Sequence, residues 1–269
     1  MLEQITSTQN SKIKFLSQLI EKSRVRKREN CFVIEGKREI TLAIEGGYTL
    51  IQVFYCPDIL PREEALALVK KENASLPLFE ITSTVYKKVA YRDSTEGIIA
   101  IAQSKDNAIN TLSFKNKTPL ILIAESPEKP GNIGAILRTA DAANIDAVII
   151  ANPKTDIYNP NIIRSSVGCI FTNHIATGSS EEIIHFLKQQ NINIYGAALE
   201  NAVNCYSIDY TKPSAIIVGT EATGLSDMWL QNTNKNVKIP MNGVIDSMNV
   251  SVAAGILIYE AKRQRNFEF

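Results

Sequence analysis

The feature that most constrains this chain is a series of short, mainly apolar runs in its C-terminal half, LILIAE at 120–125, AVIIA at 147–151, NIYGA near 193 and AIIVG at 215–219, with a further, more polar strand expected at roughly Thr172 to Ala176. Runs of five or six apolar residues without polar alternation read as strands buried on both faces, and such strands belong to parallel sheets. Helical stretches separate most of them, and strand–helix alternation implies a largely parallel sheet covered on both sides, an α/β fold. In sheets of this kind ligands bind beyond the carboxyl ends of the strands, so the loops that follow the strands are the places to look for chemistry.

The N-terminal third carries a second, smaller α/β pattern. Ile13, Leu16, Leu19 and Ile20 share one face of a helix expected from Ser11 to Lys22, while CFVIE, LIQVFYC and Gly97 to Ala102 read as apolar strands. After Gln103 the stretch SKDNAINTLSFKNKT is polar and without sustained period. The expected organisation is therefore a first domain at 1–105, a linker at 106–117 and a second domain at 118–269. With 29 basic and 28 acidic side chains the overall charge points to no partner, but Ser23 to Arg28 reads SRVRKR and gathers Arg24, Arg26, Lys27 and Arg28 in six residues. Such a cluster is expected to contact nucleic-acid phosphates, the alternative being a solvated helix end. The four cysteines, Cys31, Cys56, Cys169 and Cys205, show neither a CxxC pair nor metal-ligand spacing, so reduced thiols and no metal are expected. The first residues lack the apolar stretch of a signal peptide, and no segment approaches the roughly 20 apolar residues of a membrane span, which gives the expectation of a cytoplasmic protein.

Three loops after strands have unusual composition. The first, ESPEKPGNIGAILRTADAAN at 125–144, runs through a Pro-Gly-Asn turn into a helix whose inner face is Ile133, Ile136, Leu137 and Ala140, leaving Arg138 well away from that stripe. Asn132 stands where a helix cap is expected. The second, AIIVGTEATGLSD at 215–227, follows a buried strand with Gly219, Glu221 and Gly224, and its glycines serve either a close-fitting flat ligand or the turn itself. The third, IPMNGVIDSMNVSVAAGILIYEAKRQR at 239–265, sets Ser247 and Asn249 before a helix apolar on nearly every face, which needs covering. Capping alone accounts for each polar residue singly, but not for three such loops in one sheet. The glycines match neither GxGxxG nor the Walker spacing, which speaks against a Rossmann-type nucleotide enzyme.

These segments resemble the SpoU (TrmH) branch of the SPOUT methyltransferases over nearly the whole chain. NIGAILRTADAA is similar to the first motif of that family, GTEATGL to the second and IPMNGVIDSMNVSVA to the third, in the same order. NIIRSSVGCIF at 161–171 resembles a segment between the first two, and CFVIEGKREITLAI the start of an RNA-holding domain similar to RNA-binding ribosomal proteins. The resemblance implies an α/β-knot, that is, a parallel sheet with a deep trefoil knot, and a homodimer whose C-terminal helix contributes apolar contact area. It implies S-adenosylmethionine as cofactor, in contact with Gly219, Leu225, Ile239, Met241 and Met248, and catalytic or substrate-proximal roles for Asn132, Arg138, Glu221, Ser247 and Asn249, with Arg138 central. Three positions depart from the pattern. Met248 replaces a usual leucine, Asn144 a common glycine, and STEG at 94–97 lacks the Pro-Gln that often precedes this glycine.

The implied reaction is methylation of an RNA ribose 2'-hydroxyl, in ribosomal RNA in preference to transfer RNA. A sulfonium methyl is already electrophilic, so the protein has chiefly to align the hydroxyl and stabilise the charge developing on it. Arg138 is expected to bind that oxygen or a neighbouring phosphate, since a guanidinium is a poor base. His174 and His185 lie near no motif and are read as structural. The alternatives are a non-catalytic RNA-binding protein with a degenerate methyltransferase domain, and a tRNA-directed enzyme.

Overall fold

The computed structural model describes residues 4–69, 76–91, 96–244 and 247–267, and the chain divides into two compact units, 1–105 with 156–172, and 106–155 with 173–269. The first unit begins with β1 (Gln4–Ile5), α1 (Ser11–Glu21), α2 (Ser23–Glu29), β2 (Cys31–Glu35), α3 (Lys37–Glu45) and β3 (Leu50–Tyr55). It continues through α4 (Arg62–Val69), β4 (Leu78–Ile81), α5 (Ser83–Val89) and β5 (Ile98–Gln103). The second unit opens with β6 (Leu120–Glu125), α6 (Pro130–Ala142) and β7 (Ala147–Ala151); α7 (Pro160–Ser165) belongs to the first unit again. The rest of the second unit is β8 (Ile175–Gly178), α8 (Ser180–Gln189), β9 (Asn193–Ala197), β10 (Val203–Asn204), β11 (Ser214–Val218), α9 (Asp227–Leu230), β12 (Lys235–Lys238) and α10 (Val250–Gln264).

In the first unit the described strands run in the order β1-β4-β3-β5-β2, with β5 antiparallel to both its neighbours. The α1 face Ile13, Leu16 and Leu19 is fully buried against it, and Asn10 caps the helix through the Lys12 N–H at 2.9 Å. Residues 156–172 complete this core. Tyr158 stacks on Phe32 with ring centroids 4.2 Å apart, Phe171 packs edge-on to Tyr48 at 5.1 Å, and the Tyr48 and Tyr158 hydroxyls meet at 3.4 Å. Aromatic pairs in these geometries add to plain burial, so this segment is an integral part of the first unit although its neighbours in sequence are not. A single cut at 105 is therefore incomplete.

The second unit is built on an all-parallel sheet, in the order β10-β12-β9-β11-β6-β7-β8 among the described strands. Every residue of β6, β7 and β11 is buried, as their unbroken apolar sequence requires. β11 pairs with both β6 and β9, so the strand order reverses sense between β6 and β11, and a crevice at the carboxyl ends follows from that reversal. The stretch expected as a linker has structure: Ala108 bridges Thr177 and Ile109 is buried in the core of this unit. The strand expected from Thr172 starts instead at Ile175, with His174 accepting the Val148 N–H through its carbonyl at 2.9 Å. The last helix is fastened by Arg265, whose guanidinium donates to the carbonyls of Tyr210, Thr118 and Lys212 at 2.8, 2.5 and 2.8 Å. Asn144 has φ +45°, the left-handed conformation that suits asparagine in place of glycine. All four cysteines are free, and burial pushes the Cys31 thiol up to about 11.

One residue of the basic cluster is not at the surface. Arg26 is 3% exposed; its Nε pairs with Asp156 at 2.5 Å and its Nη1 donates to the carbonyls of Leu19 and Ile20 at 2.6 and 3.1 Å. It falls there because the cluster forms a helix, α2, in which Arg26 sits beside Val25 on the inward face. Arg26 is corrected from an RNA-binding cation to a structural one, while Arg24, Lys27 and Arg28 remain exposed. Breaking a buried ion pair leaves a desolvated charge, so Arg26→Ala is expected to lower stability by about 3 kcal/mol, measured by urea unfolding. An unchanged midpoint and slope would return Arg26 to the surface cluster.

Candidate active site

Three loops from distant parts of the sequence converge beyond the carboxyl ends of β6, β11 and β12. Glu125, the last residue of β6, is buried and accepts the Ser226 N–H at 2.9 Å, which ties the loop after β6 to the loop after β11. The chain then turns through Ser126, at φ +44°, and enters α6 with Lys129 as cap residue and Pro130 first. Asn132 is thus not the helix cap; it lies one turn further in, and its side chain is free to face outward from the helix start. Its Nδ2 donates to Glu221 Oε1 at 2.6 Å. Asn249 does cap its helix, α10, by accepting from the Ser251 N–H at 3.0 Å and the Ser251 hydroxyl at 2.6 Å. The same side chain donates through Nδ2 to Glu221 Oε1 and to Asn132 Oδ1, each at 3.2 Å.

The other oxygen of Glu221, Oε2, pairs with the Lys129 ammonium. Sequence reading passed over Lys129, because a lysine three residues before an asparagine carries no pattern of its own. The carboxylate, on the second loop, therefore collects donors from the first loop, Lys129 and Asn132, and from the third, Asn249. Its pKa lies below the usual carboxylate range, first because of the hydrogen bond from Lys129 and then that from Asn132. The group is ionised at neutral pH and serves as an acceptor.

Beside this network lies an open cleft of about 780 Å³ at the ends of β9, β11 and β12. Gly219, Leu225, Ile239, Met241 and Met248, expected as one set, all line it, together with Glu221, Ser247 and Asn249. Ile239, Met241 and Met248 are half-buried, so the cleft has an apolar wall with exposed polar groups at one end. Such a wall fits a flat heteroaromatic ring, and the exposed loop backbone supplies hydrogen-bonding groups for its edge. Gly219 has a more local reason to be glycine. Thr220 and Gly224 exchange backbone hydrogen bonds at 3.0 and 3.1 Å, and a Cβ on Gly219 would lie 2.2 Å from the Gly224 carbonyl carbon and 2.5 Å from the Leu225 nitrogen. The turn itself requires this glycine, and the turn in turn forms the floor of the cleft. A smaller cavity of about 220 Å³, lined by Pro127, Lys129, Asn132, Ile136 and Val250 among others, shares residues 219–222 with it.

Arg138 is not brought to this place within one chain. It is exposed on α6 and lines neither cavity. Of STEG, residues 94 and 95 lie outside the described residues.

A cleft with an apolar wall beyond the ends of β9, β11 and β12, next to a carboxylate held by two amides and an ammonium, is a ligand site of the α/β class. Residues 119–259 match the SpoU rRNA Methylase family and residues 10–100 the MRM3-like substrate binding domain. The chain is 27% identical over 261 residues, 97% of its length and 100% of the relative's, to 23S rRNA (guanosine(2553)-2'-O)-methyltransferase RlmP of Bacillus subtilis (strain 168). It is also similar to a solved RNA 2'-O ribose methyltransferase, at TM-score 0.82 and 38% identity over 98% of this chain and 99% of that one. An AdoMet-bound rRNA methyltransferase from Sinorhizobium meliloti superposes at TM-score 0.88 and 25% identity, covering 97% and 98%. The chain belongs to the SpoU rRNA methylase family, and with it to the S-adenosylmethionine-dependent RNA 2'-O-methyltransferases.

Gly219→Ala tests the cleft floor. The added methyl forces the 220–224 turn apart at a cost of at least about 1–3 kcal/mol, the range for overpacking. The expected result is loss of S-adenosylmethionine binding by calorimetry with an unchanged far-UV spectrum, and wild-type affinity would show that the turn does not shape the cofactor site.

Proposed function

We propose that this enzyme methylates a ribose 2'-hydroxyl of ribosomal RNA, with the cofactor in the large cleft and the hydroxyl presented at the Glu221 network. The observation that carries this reading is the convergence of Asn132 from the first loop and Asn249 from the third on the Glu221 carboxylate of the second, beside the cleft. Leu225, Ile239, Met241 and Met248 hold the adenine, and the backbone from Gly219 to Leu225 supplies its polar partners. When bound, the cofactor supplies a methyl group on a positively charged sulfur. Glu221, kept ionised, is a weak base and orients the donors around it; with Ser247 it aligns the attacking hydroxyl. The second unit, which matches the family, is read as holding the trefoil knot that the resemblance implies.

The reading extends to a homodimer. On α10, Val252 (53% exposed), Ile256 and Tyr259 (44% exposed) form one stripe at helical spacing, and an apolar stripe of this kind is covered by a second copy. Helix α6 packs on α10, with Thr139 against Gly255, so Arg138 stands next to that stripe. In this arrangement the guanidinium of one protomer reaches the partner's site, where it stabilises the developing charge on oxygen. RNA is held by the first unit, through the exposed Arg24, Lys27 and Arg28. The enzyme works in the cytoplasm; among the described residues no helix is long and apolar enough to cross a membrane.

Arg138→Ala is expected to lower methyl transfer to ribosomal RNA at least about 100-fold, with cofactor affinity retained. Mixed dimers re-formed from Arg138→Ala and Gly219→Ala protomers should regain activity, since one site then has both an intact cleft and an intact guanidinium. Full turnover by Arg138→Ala alone removes the role.

Neutralising Arg24, Lys27 and Arg28 together is expected to weaken RNA binding about tenfold or more and to flatten its salt dependence, leaving cofactor binding unchanged. Filter binding at a series of salt concentrations measures both, and an unaltered salt slope places the RNA elsewhere.

A further inference from the structure

The Glu221 network contains one group with donors to spare. Asn249 is fully engaged: its Oδ1 accepts from Ser251 and its Nδ2 donates to Asn132 and Glu221. Asn132 both donates to Glu221 and accepts from Asn249. Lys129, by contrast, offers three N–H donors and its side chain is 70% exposed on the lip of the smaller cavity, while among the described residues it pairs with Glu221 Oε2. An ammonium so placed has two donors directed toward solvent, next to a carboxylate that it already neutralises.

We propose that Lys129 is the substrate-phosphate residue of the active site: its ammonium bridges Glu221 and a phosphodiester oxygen flanking the target ribose, and so registers the RNA against the carboxylate network. This rests on the methyltransferase reading above. Three points carry it. The residue is a cation in contact with Glu221, contributed by the loop that leads into α6. An ammonium is a point charge with three donors, so one that already holds a carboxylate can still donate to a phosphate oxygen. The smaller cavity that Lys129 lines shares residues 219–222 with the cofactor cleft, so a nucleotide seated there lies against the methyl donor's site.

The same contact sets the charge on Glu221. The charged groups around that carboxylate are Lys129 and Glu128 along the small cavity and Glu200 and Lys238 along the larger cleft. Among these only Lys129 contacts it in the described structure. Removing the lysine therefore raises the pKa of Glu221 toward the ordinary range, and the acid limb of the pH profile moves upward.

The test uses full-length protein, S-adenosylmethionine, and ribosomal RNA from cells that lack the enzyme. For Lys129→Met the expected result is a KM for RNA raised about tenfold, as for loss of one charge-assisted hydrogen bond, with the acid limb of kcat/KM moved upward. Cofactor affinity by calorimetry stays within about twofold, and Lys129→Arg restores most of the KM, because a guanidinium also pairs with both anions. Unchanged KM and pH profile in Lys129→Met overturn the proposal. So does a loss of cofactor binding that Lys129→Arg fails to rescue, which would mark the lysine as part of the fold. Failure of the wild-type protein to bind cofactor or to methylate this RNA instead overturns the methyltransferase reading, and the wild-type arm thus separates the two.

Discussion

A single ionised carboxylate organises the second unit. Glu221 receives an amide from α6, an amide from the cap of α10 and an ammonium from the loop before α6, so the ends of β6, β11 and β12 are fixed to one another through its two oxygens. Each donor alone is a surface contact of small worth, because water competes for both partners. Their value lies in geometry: with three donors on one carboxylate, no loop can shift without loosening the hold on the other two. The loop ends around Glu221 are therefore held together, while the cleft next to them stays open.

The backbone beneath the network is constrained in the same way. The turn from Thr220 to Gly224 closes on itself by a pair of hydrogen bonds, and Gly219 is squeezed against it so tightly that no Cβ fits. The buried Glu125 carboxylate on the Ser226 amide holds the far end of that turn to β6. Sheet order explains why these contacts exist at all. Because β11 is inserted between β6 and β9, the loops after the first strand of the sheet and after a much later one lie side by side, although about 90 residues separate them in sequence.

Much of this was legible in the sequence. The unbroken apolar runs identify β6, β7, β9 and β11, since a strand buried on both faces leaves no polar position to obscure it. The set of residues lining the cleft was legible as well, but through the resemblance of GTEATGL and IPMNGVIDSMNVSVA to a family, not through periodicity. What escaped has physical causes. β12 is Lys-Asn-Val-Lys with only Val237 buried, so an edge strand of four residues shows almost no hydrophobic signal. Arg26 reads as an RNA-binding cation because composition does not tell which side of a two-turn helix faces inward. Lys129 was invisible because its partner lies 92 residues away, and the pairing is a property of the folded sheet.

The segment 156–172 carries the same lesson to the level of domains. Its sequence neighbours, β7 and β8, pair with each other in the second sheet, yet its own Tyr158 and Phe171 are buried in the aromatic core of the first unit, and its Asp156 neutralises Arg26 there. Removing it would leave Phe32 and Tyr48 without their stacking partners and an arginine without its counter-ion, so the first unit as built from residues 1–105 alone lacks part of its core. The first unit is thus completed by a segment that the chain supplies only after it has laid down β6 and β7 of the other sheet, so its core is not the product of one continuous stretch of sequence.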